Sequence, residues 1–468
     1  MSDKPNLIYI YADTLKYSTL GFNSDEYAYT PNLDALASCA CVLTNAVSSH
    51  PVRAPYDASL FTGKYTPSTG VVMNGLRICP EHETFASALE NDGYKTCYIG
   101  RWNLYSNKFS NSSSSKNSFV PKGENRLGFN GFFASFSHTD DIMSKSCYYL
   151  DTKEKIQAGK YEPDAEHVLA VNRIEEMSKT DKPFAMFLSL STPRESWSMA
   201  NVPESFYSLF DETEFPNSPN ESAVNDIHSD GWSKFAPGKF KNLNDMKRAY
   251  YAMTANIDMN VGKIIDAVKK FGLIDNTVIV FTSSRGEMFA SHGRRGANTF
   301  YEEAVRVPFI IKWGERFSGV NAQCLSTPDI MPTLLSILGV KIPDSVEGRD
   351  ESASIFSNNA DDNVCLMMGT GPAAMFGDGY EWRAVRTKKY TYAKYLIDSR
   401  EYLFDNENDP YQMKNLAGNK DYYHIKAVLV AKMFGRMGEV GDKFEKNAYY
   451  KKNRIKKRIV LPVDNSKK

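Results

Sequence analysis

Arginines, acids and hydroxyls are the residue types through which this chain could do chemistry. Arg53 and Asp57 stand four residues apart, so a helix would bring them together as a pair. A guanidinium stays protonated at any relevant pH and has no nucleophilic role, but its planar fork of donors suits sulfate, phosphate or carboxylate oxygens. Thr14, Ser48 and Ser49 are hydroxyls, and Thr14 could attack an ester only with an adjacent base, for which no suitably placed histidine is evident. His50 and His292 read as hydrogen-bonded structural groups. Seven cysteines (39, 41, 79, 97, 147, 324 and 365) are an odd number at scattered spacings without a CxxC pair, which supports neither a zinc ribbon nor a disulfide framework. No P-loop, dinucleotide fingerprint or serine elbow occurs.

Such groups need a frame. Asn6 to Ala12 reads as a strand apolar on both faces, as do Lys95 to Trp102, Phe184 to Leu190, Thr277 to Thr282 and Val307 to Trp313. Continuous apolar strands alternating with helical patterns predict a mostly parallel sheet with helices on both faces. Thr30-Pro31 offers a capping hydroxyl and a first-turn proline, with Cys39 and Cys41 in a helix-like stretch beyond. Thr84 opens another helix, which Gly93 closes. The longest helix spans about Asp245 to Phe271, with Tyr250, Met253, Ile257, Val261, Ile264 and Val268 on one buried stripe. Ser106 to Ser118 reads as an exposed loop, and residues 211–244 as a long polar excursion of the kind that walls a cleft. After about Asn358 the pattern shifts to shorter strands, Trp382 to Arg386 and Lys389 to Tyr395. The expected organisation is residues 1–358 as an α/β domain, 359–450 as a smaller α+β domain and 451–468 as a basic tail. The run Lys451 to Arg458 reads as solvated, with contact to an anionic polymer as the sharper alternative.

The 468 residues are 42% hydrophobic and 24% charged, ordinary globular usage that excludes general disorder. Fifty-six basic residues balance fifty-six acidic ones, which argues against whole-protein attraction to nucleic acid or membrane. No apolar run approaches a membrane span and no signal-peptide pattern opens the sequence, so a cytoplasmic location is expected.

The motifs along this frame resemble the sulfatase branch of the alkaline phosphatase superfamily from one end of the chain to the other. Asn6 to Leu20 resembles its opening strand and metal loop, and Thr30 to Ala37 its next helix. Ala58 to Tyr65 follows the segment that carries the nucleophile. Ile279 to Gly293, Tyr301 to Pro308, Asp329 to Leu335 and Leu403 to Pro410 resemble further signatures. The resemblance implies an α/β fold, a large central mostly parallel sheet flanked by helices with a divalent metal at its carboxyl edge, plus a small C-terminal α+β domain with an antiparallel sheet. In active family members formylglycine, an oxidised cysteine, sits beside calcium and attacks sulfate esters, while relatives use Ser or Thr on phosphate esters or phosphonates. The nucleophile is the first residue of Cys/Ser-x-Pro-x-Arg.

At those positions this chain departs from the family. The nucleophile motif stands as Arg53-Ala54-Pro55-Tyr56-Asp57, the metal Asp-Asp as Asp13-Thr14, and the later acidic pair as Ser284-Arg285. Gly-Lys-Trp-His-Leu appears as Gly100-Arg101-Trp102-Asn103-Leu104, with Tyr105 after it narrowing the mouth. Pro-His appears as Pro193-Arg194, and a lysine as Ala297 near Arg294 and Arg295. Calcium needs six to eight oxygens, several of them anionic. The expectation is therefore no calcium, no formylglycine and no metal, with Asp13 the only retained ligand position and Arg285 neutralising it.

The expected function is a sulfatase-like pseudoenzyme whose arginine-rich pocket binds an anion such as sulfate, phosphate or carboxylate. Arg53, Asp57, Arg101, Asn103, Arg194, Ser284, Arg285 and Arg295 are the candidate ligand-binding residues, with Asp13, Asp57 and Glu287 as acidic partners. The alternative is an enzyme of sulfatase descent, either metal-independent or a sulfuric or phosphoric ester hydrolase with a rearranged site. Asp13, Thr14, Glu287 and Tyr105 are then the catalytic candidates. A sulfated or phosphorylated small ligand is the expected partner, without nucleic acid or a membrane span; an oligomer is compatible with the sequence.

Overall fold

The computed structural model describes residues 4–107, 115–234 and 242–462. Residues 108–114 of the expected exposed loop, 235–241 of the long excursion and 463–468 of the tail lie outside the described residues.

Ten strands form the main sheet: β1 (Asn6–Ala12), β2 (Cys41–Val47), β3 (Lys95–Gly100), β4 (Phe132–Phe136), β5 (Cys147–Tyr149), β6 (Ile156–Gln157), β7 (Phe184–Ser189), β8 (Thr277–Ser283), β9 (Phe309–Trp313) and β10 (Gly319–Ser326). Their order is β10-β2-β9-β8-β1-β7-β3-β4-β5-β6. β8, β1, β7, β3 and β4 run parallel, whereas β9 is antiparallel to both its neighbours, so the sheet is mixed.

Alternation along β1 explains why it is apolar on both faces. Leu7, Tyr9 and Tyr11 join the core beneath the helices Arg53–Thr62, Phe85–Asn91 and Thr327–Ile337. Ile8, Ile10 and Ala12 join the opposite core, under Pro31–Ser38, Glu162–Ser178 and Leu243–Lys270. The stripe expected on the longest helix is buried throughout.

A second sheet follows: β11 (Cys365–Thr370), β12 (Glu381–Arg386), β13 (Tyr390–Tyr395) and β14 (Glu401–Asp405), all antiparallel. Arg386 on β12 ties it to the main body, donating to Glu302 at 2.7 and 2.9 Å and to Asn45 at 2.8 Å. A short hairpin, β15 (Ile455–Lys456) and β16 (Ile459–Val460), ends the described chain.

Some local readings change. Cys39 caps the helix Pro31–Ser38 and Cys41 begins β2, so the two do not share a helix; the apolar run from Cys41 has a strand partner on each side. Thr84 caps its helix by a reciprocal bond with Ser87, but Thr30 does not. The Thr30 hydroxyl instead accepts from the Gly21 N–H at 2.9 Å and donates to Asp34. All seven cysteines are free thiols.

Close packing at the carboxyl edge is specific. Gly100 ends β3 at φ +128°, and a Cβ there would lie 2.2 Å from the Ser189 carbonyl oxygen on β7. Gly100→Ala is expected to lower unfolding stability by at least ~1–3 kcal/mol, the cost of a strained backbone, with the clash in addition. Urea unfolding checks this; an unchanged midpoint would mean that β3 and β7 can separate there.

Candidate active site

Parallel strands aim their following loops at one edge of a sheet, where open α/β folds place their ligands. Asp13 and Thr14 follow β1, Arg101 and Asn103 follow β3, Arg194 follows β7, and Ser284 and Arg285 follow β8, four neighbouring parallel strands. Arg53 enters from the first turn of the helix after β2. These loops enclose a cleft of about 910 Å³.

Asp13, Thr14, Arg53, Arg101, Asn103, Tyr105, Arg194, Arg285 and Glu287 all line this cleft. Asp57, Ser284 and Arg295 do not. Asp57 lies buried beneath Arg53, Ser284 is covered and hydrogen-bonded to the Asp13 carbonyl, and Arg295 pairs with Glu195 at 2.8 Å.

Asp13 holds two guanidiniums, Arg285 Nη1 at 3.1 Å and Arg53 Nη1 at 3.3 Å. Arg53 Nε also lies 3.3 Å from Asp57, the pairing expected four residues apart on a helix. Burial alone would lower the Arg53 pKa, but Asp57, Tyr11 and Asp13 outweigh it and keep the guanidinium firmly charged. Burial pushes the Asp57 carboxyl up, while Arg53 and the Asn103 amide, which donates to it at 2.8 Å, pull it back.

Acids that sequence reasoning missed neutralise the other arginines. Arg101 Nε meets Glu162 at 2.6 Å, and Arg194 Nη2 meets Asp140 at 3.0 Å. Glu162 comes from a helix and Asp140 from a loop; neither carries a local signal that would direct it to this cleft. Glu287, expected to pair with an arginine, instead accepts backbone N–H bonds from Gly296 at 2.6 Å and Phe289 at 3.4 Å. Burial raises its pKa to about 7 against the pull of those donors. It is the candidate whose proton is exchangeable near neutral pH.

Other candidates are constrained. The Thr14 hydroxyl donates to the Pro193 carbonyl at 2.6 Å, leaving it no base. The Tyr105 ring packs under the Arg77 guanidinium, 4.0 Å from centroid to Cζ. His50 is a structural group, its Nδ1 at 2.8 Å from the Thr66 hydroxyl and its pKa lowered to about 3 by burial and Arg383. His292 stacks on Tyr301 outside the cleft. His138, unnoticed in the sequence, lines the cleft with its pKa lowered to about 4 by burial and then Arg101. At the rim stand Trp232, 55% exposed, and Met375, 53% exposed, the former from the excursion expected to wall the cleft.

The fold and this carboxyl-edge cleft are those of the alkaline phosphatase superfamily, a mixed α/β sheet with its site at the ends of parallel strands. A family model described as "Sulfatase" matches residues 5–340, and one described as "N-sulphoglucosamine sulphohydrolase, C-terminal" matches residues 291–437. The chain belongs to the sulfatase family. It is 33% identical over 455 residues to a protein of Formosa agariphila named Ulvan-active sulfatase, covering 96% of this chain and 84% of that one. It is 27% identical to an Endo-4-O-sulfatase of Bacteroides thetaiotaomicron, covering 89% and 88%. The crystal structure of the yidJ protein of Bacteroides fragilis superposes with a TM-score of 0.83 at 26% identity, covering 96% of this chain and 98% of that one. A structure solved in complex with its substrate D-glucosamine-2-N,6-O-disulfate has a TM-score of 0.81 at 19% identity, covering 94% and 99%, a likeness of fold alone.

Two expectations are corrected here. A non-catalytic, anion-binding pseudoenzyme does not fit end-to-end relatives named as sulfatases, which point to sulfuric ester hydrolysis. The expectation of a protein without calcium or formylglycine falls on the same finding, because the family's active members depend on both. The side chains at the corresponding positions nevertheless do not fit those groups as they stand. Arg53 holds the nucleophile position, and two guanidiniums occupy Asp13, so a cation would have to displace one of them. Among the described residues no cluster of three His, Cys, Asp or Glu side chains could hold a metal ion. Likewise, no helix among them is long and apolar enough to cross a membrane.

Proposed function

We propose that the protein hydrolyses sulfuric esters carried on saccharides, in a rearranged version of the family's site. The observation that carries this reading is one guanidinium with spare donors beside one carboxyl poised near neutrality, in a chain related end to end to named sulfatases. Arg285 uses only Nη1 for its contacts with Asp13 and Ser284, which leaves Nε and Nη2 for an ester's oxygens. Trp232 offers a rigid aromatic face at the rim for a sugar ring, since its loop is fixed by Asp230, which accepts from the Trp232 and Ser233 N–H groups at 2.9 and 2.8 Å.

The chemistry is assigned to this chain's own residues. Arg285, with Arg53 behind it, holds the sulfuryl oxygens and stabilises the charge that builds on them. Asp13 is engaged by two guanidiniums and holds them in place. Glu287 takes a proton from the attacking water as its oxygen bonds to sulfur. The bond from sulfur to the sugar oxygen breaks, and the same proton passes to that oxygen. An alcohol and bisulfate result, the latter losing its proton to solvent.

The test is sulfate release from sulfated mono- and disaccharides and from nitrophenyl sulfate, with EDTA and with added calcium. Turnover should rise with pH through about 7, because a carboxyl raised to that value must ionise before it can accept a proton. Glu287→Gln should lower kcat by ~10²–10⁴ and flatten the profile. No sulfate release under either metal condition, from any ester tried, would overturn the reading.

A further inference from the structure

The basic run near the C-terminus takes no part in the chemistry above, yet it borders the cleft. The helix Asn447–Asn453 leads into the β15–β16 hairpin, and Arg454 at the helix end and Arg458 in the hairpin turn anchor to the segment 67–75. Arg454 donates to the Pro67 and Ser68 carbonyls at 2.9 and 3.1 Å, and Arg458 to the Gly75 carbonyl at 2.6 Å. These two arginines are structural anchors and not part of a solvated tail. Arg77 forms bridges to Ile459 on one side and Tyr105 on the other, so the hairpin extends without a break to a residue of the cleft wall. Gly75, Tyr105 and Ser106 all line the cleft.

Between and beyond the anchors, Lys451, Lys452, Lys456 and Lys457 are exposed, and none has a carboxylate partner among the described residues. Lys451 lies over the Phe376 ring, next to the rim residue Met375. The hairpin turn sets Lys457 and Arg458 at φ +47° and +81°, the left-handed region where a two-residue turn usually carries glycine or asparagine. The turn therefore keeps long cationic side chains at a backbone cost. Since acids and bases balance over the whole chain, this ridge is a local excess of positive charge beside the cleft.

We propose that the lysine ridge holds the sulfate groups of a sulfated polysaccharide on the units flanking the one seated in the cleft. The inference rests on the reading of the cleft as a site for sulfated saccharides. A ridge of unpaired ammonium groups suits a polyanion because binding releases its condensed counterions, which makes the affinity steeply dependent on salt. The ridge's continuity with a cleft for sulfuric esters favours a sulfated saccharide chain over a nucleic acid.

The test replaces Lys451, Lys452, Lys456 and Lys457 together by glutamate and uses heparin, a sulfated disaccharide and duplex DNA as probes. The variant should bind heparin at least ten-fold more weakly, with a salt slope shallower by about one per lysine lost. Its melting temperature, its turnover of nitrophenyl sulfate and its KM for the disaccharide should match the parent's. Unchanged heparin affinity would overturn the proposal. So would parental binding of duplex DNA as tight as that of heparin, because the ridge would then be a general polyanion surface. Lysine-dependent heparin binding without turnover of any ester would support the ridge and refute the reading of the cleft, so the two fail separately.

Discussion

Arg53→Met is expected to destabilise the protein by about 3–5 kcal/mol at pH 8, the usual effect of leaving a buried acid without its partner. Asp57 is 1% exposed, and Arg53 is the cation that compensates it. Burial already pushes the Asp57 carboxyl up, and losing the guanidinium raises it further. A carboxyl with a raised folded-state pKa favours folding below its unfolded value and loses that contribution as pH rises through the folded value. The deficit should therefore shrink as the pH falls and Asp57 takes up a proton. Adding Asp57→Asn should recover part of the loss at pH 8 and less at pH 5. Urea unfolding of the four proteins at both pH values measures this as a double-mutant cycle. An equal loss at both, with no recovery, would show that the pair acts only through packing.

The second large effect concerns rate. Arg285→Ala should lower kcat/KM for sulfuric esters by ~10²–10³, the typical result of removing one donor from a developing oxyanion. Asp13 keeps Arg53 as a partner, so the melting temperature should move little. Arg285→Lys should recover only part of the rate, because a point ammonium cannot reproduce two parallel donors. Parental kcat/KM in the alanine variant would remove Arg285 from the reaction and leave Arg101 or Arg194 as the cation that faces the ester.

Strand residues were legible in the sequence because burial on both faces leaves a continuous apolar run, as in Asn6–Ala12. Strands β2, β4, β5, β6, β10, β11 and β14 to β16 were not read there, and two of them show why, β2 and β10. The first was obscured by a helix-like lead-in at Cys39, and the second, Gly319–Ser326, by its polar Asn321 and Gln323. Asp13, Arg53, Arg101, Arg194 and Arg285 could be placed at one edge through their offsets from strands and motifs. Their partners Glu162 and Asp140 could not, since which acid meets which arginine is decided by chain segments that share no local pattern. The environment of Glu287 was equally hidden. Its raised pKa comes from burial and two backbone donors, and burial of an isolated acid has no signature in sequence. The substitutions themselves were visible, but inactivity inferred from them alone did not agree with the chain's named relatives.

The place of β1 in the sheet has a consequence for the order in which the protein can be made. Leu7 pairs with Ala185 on one side and with Val278 on the other, so the strand translated first waits for neighbours made far later in the chain. At the usual 5–20 residues per second, roughly 15–55 s separate the emergence of β1 from that of β8. Until β7 emerges a strand apolar on both faces has no partner, and until β8 emerges it has a partner on one side only. The ribosome-bound chain must shelter it, in transient collapse or in a chaperone, until the residues that follow the helix Leu243–Lys270 close over it. Translation rate and chaperone supply thus govern the yield of this fold through a segment that, once folded, is buried at every position.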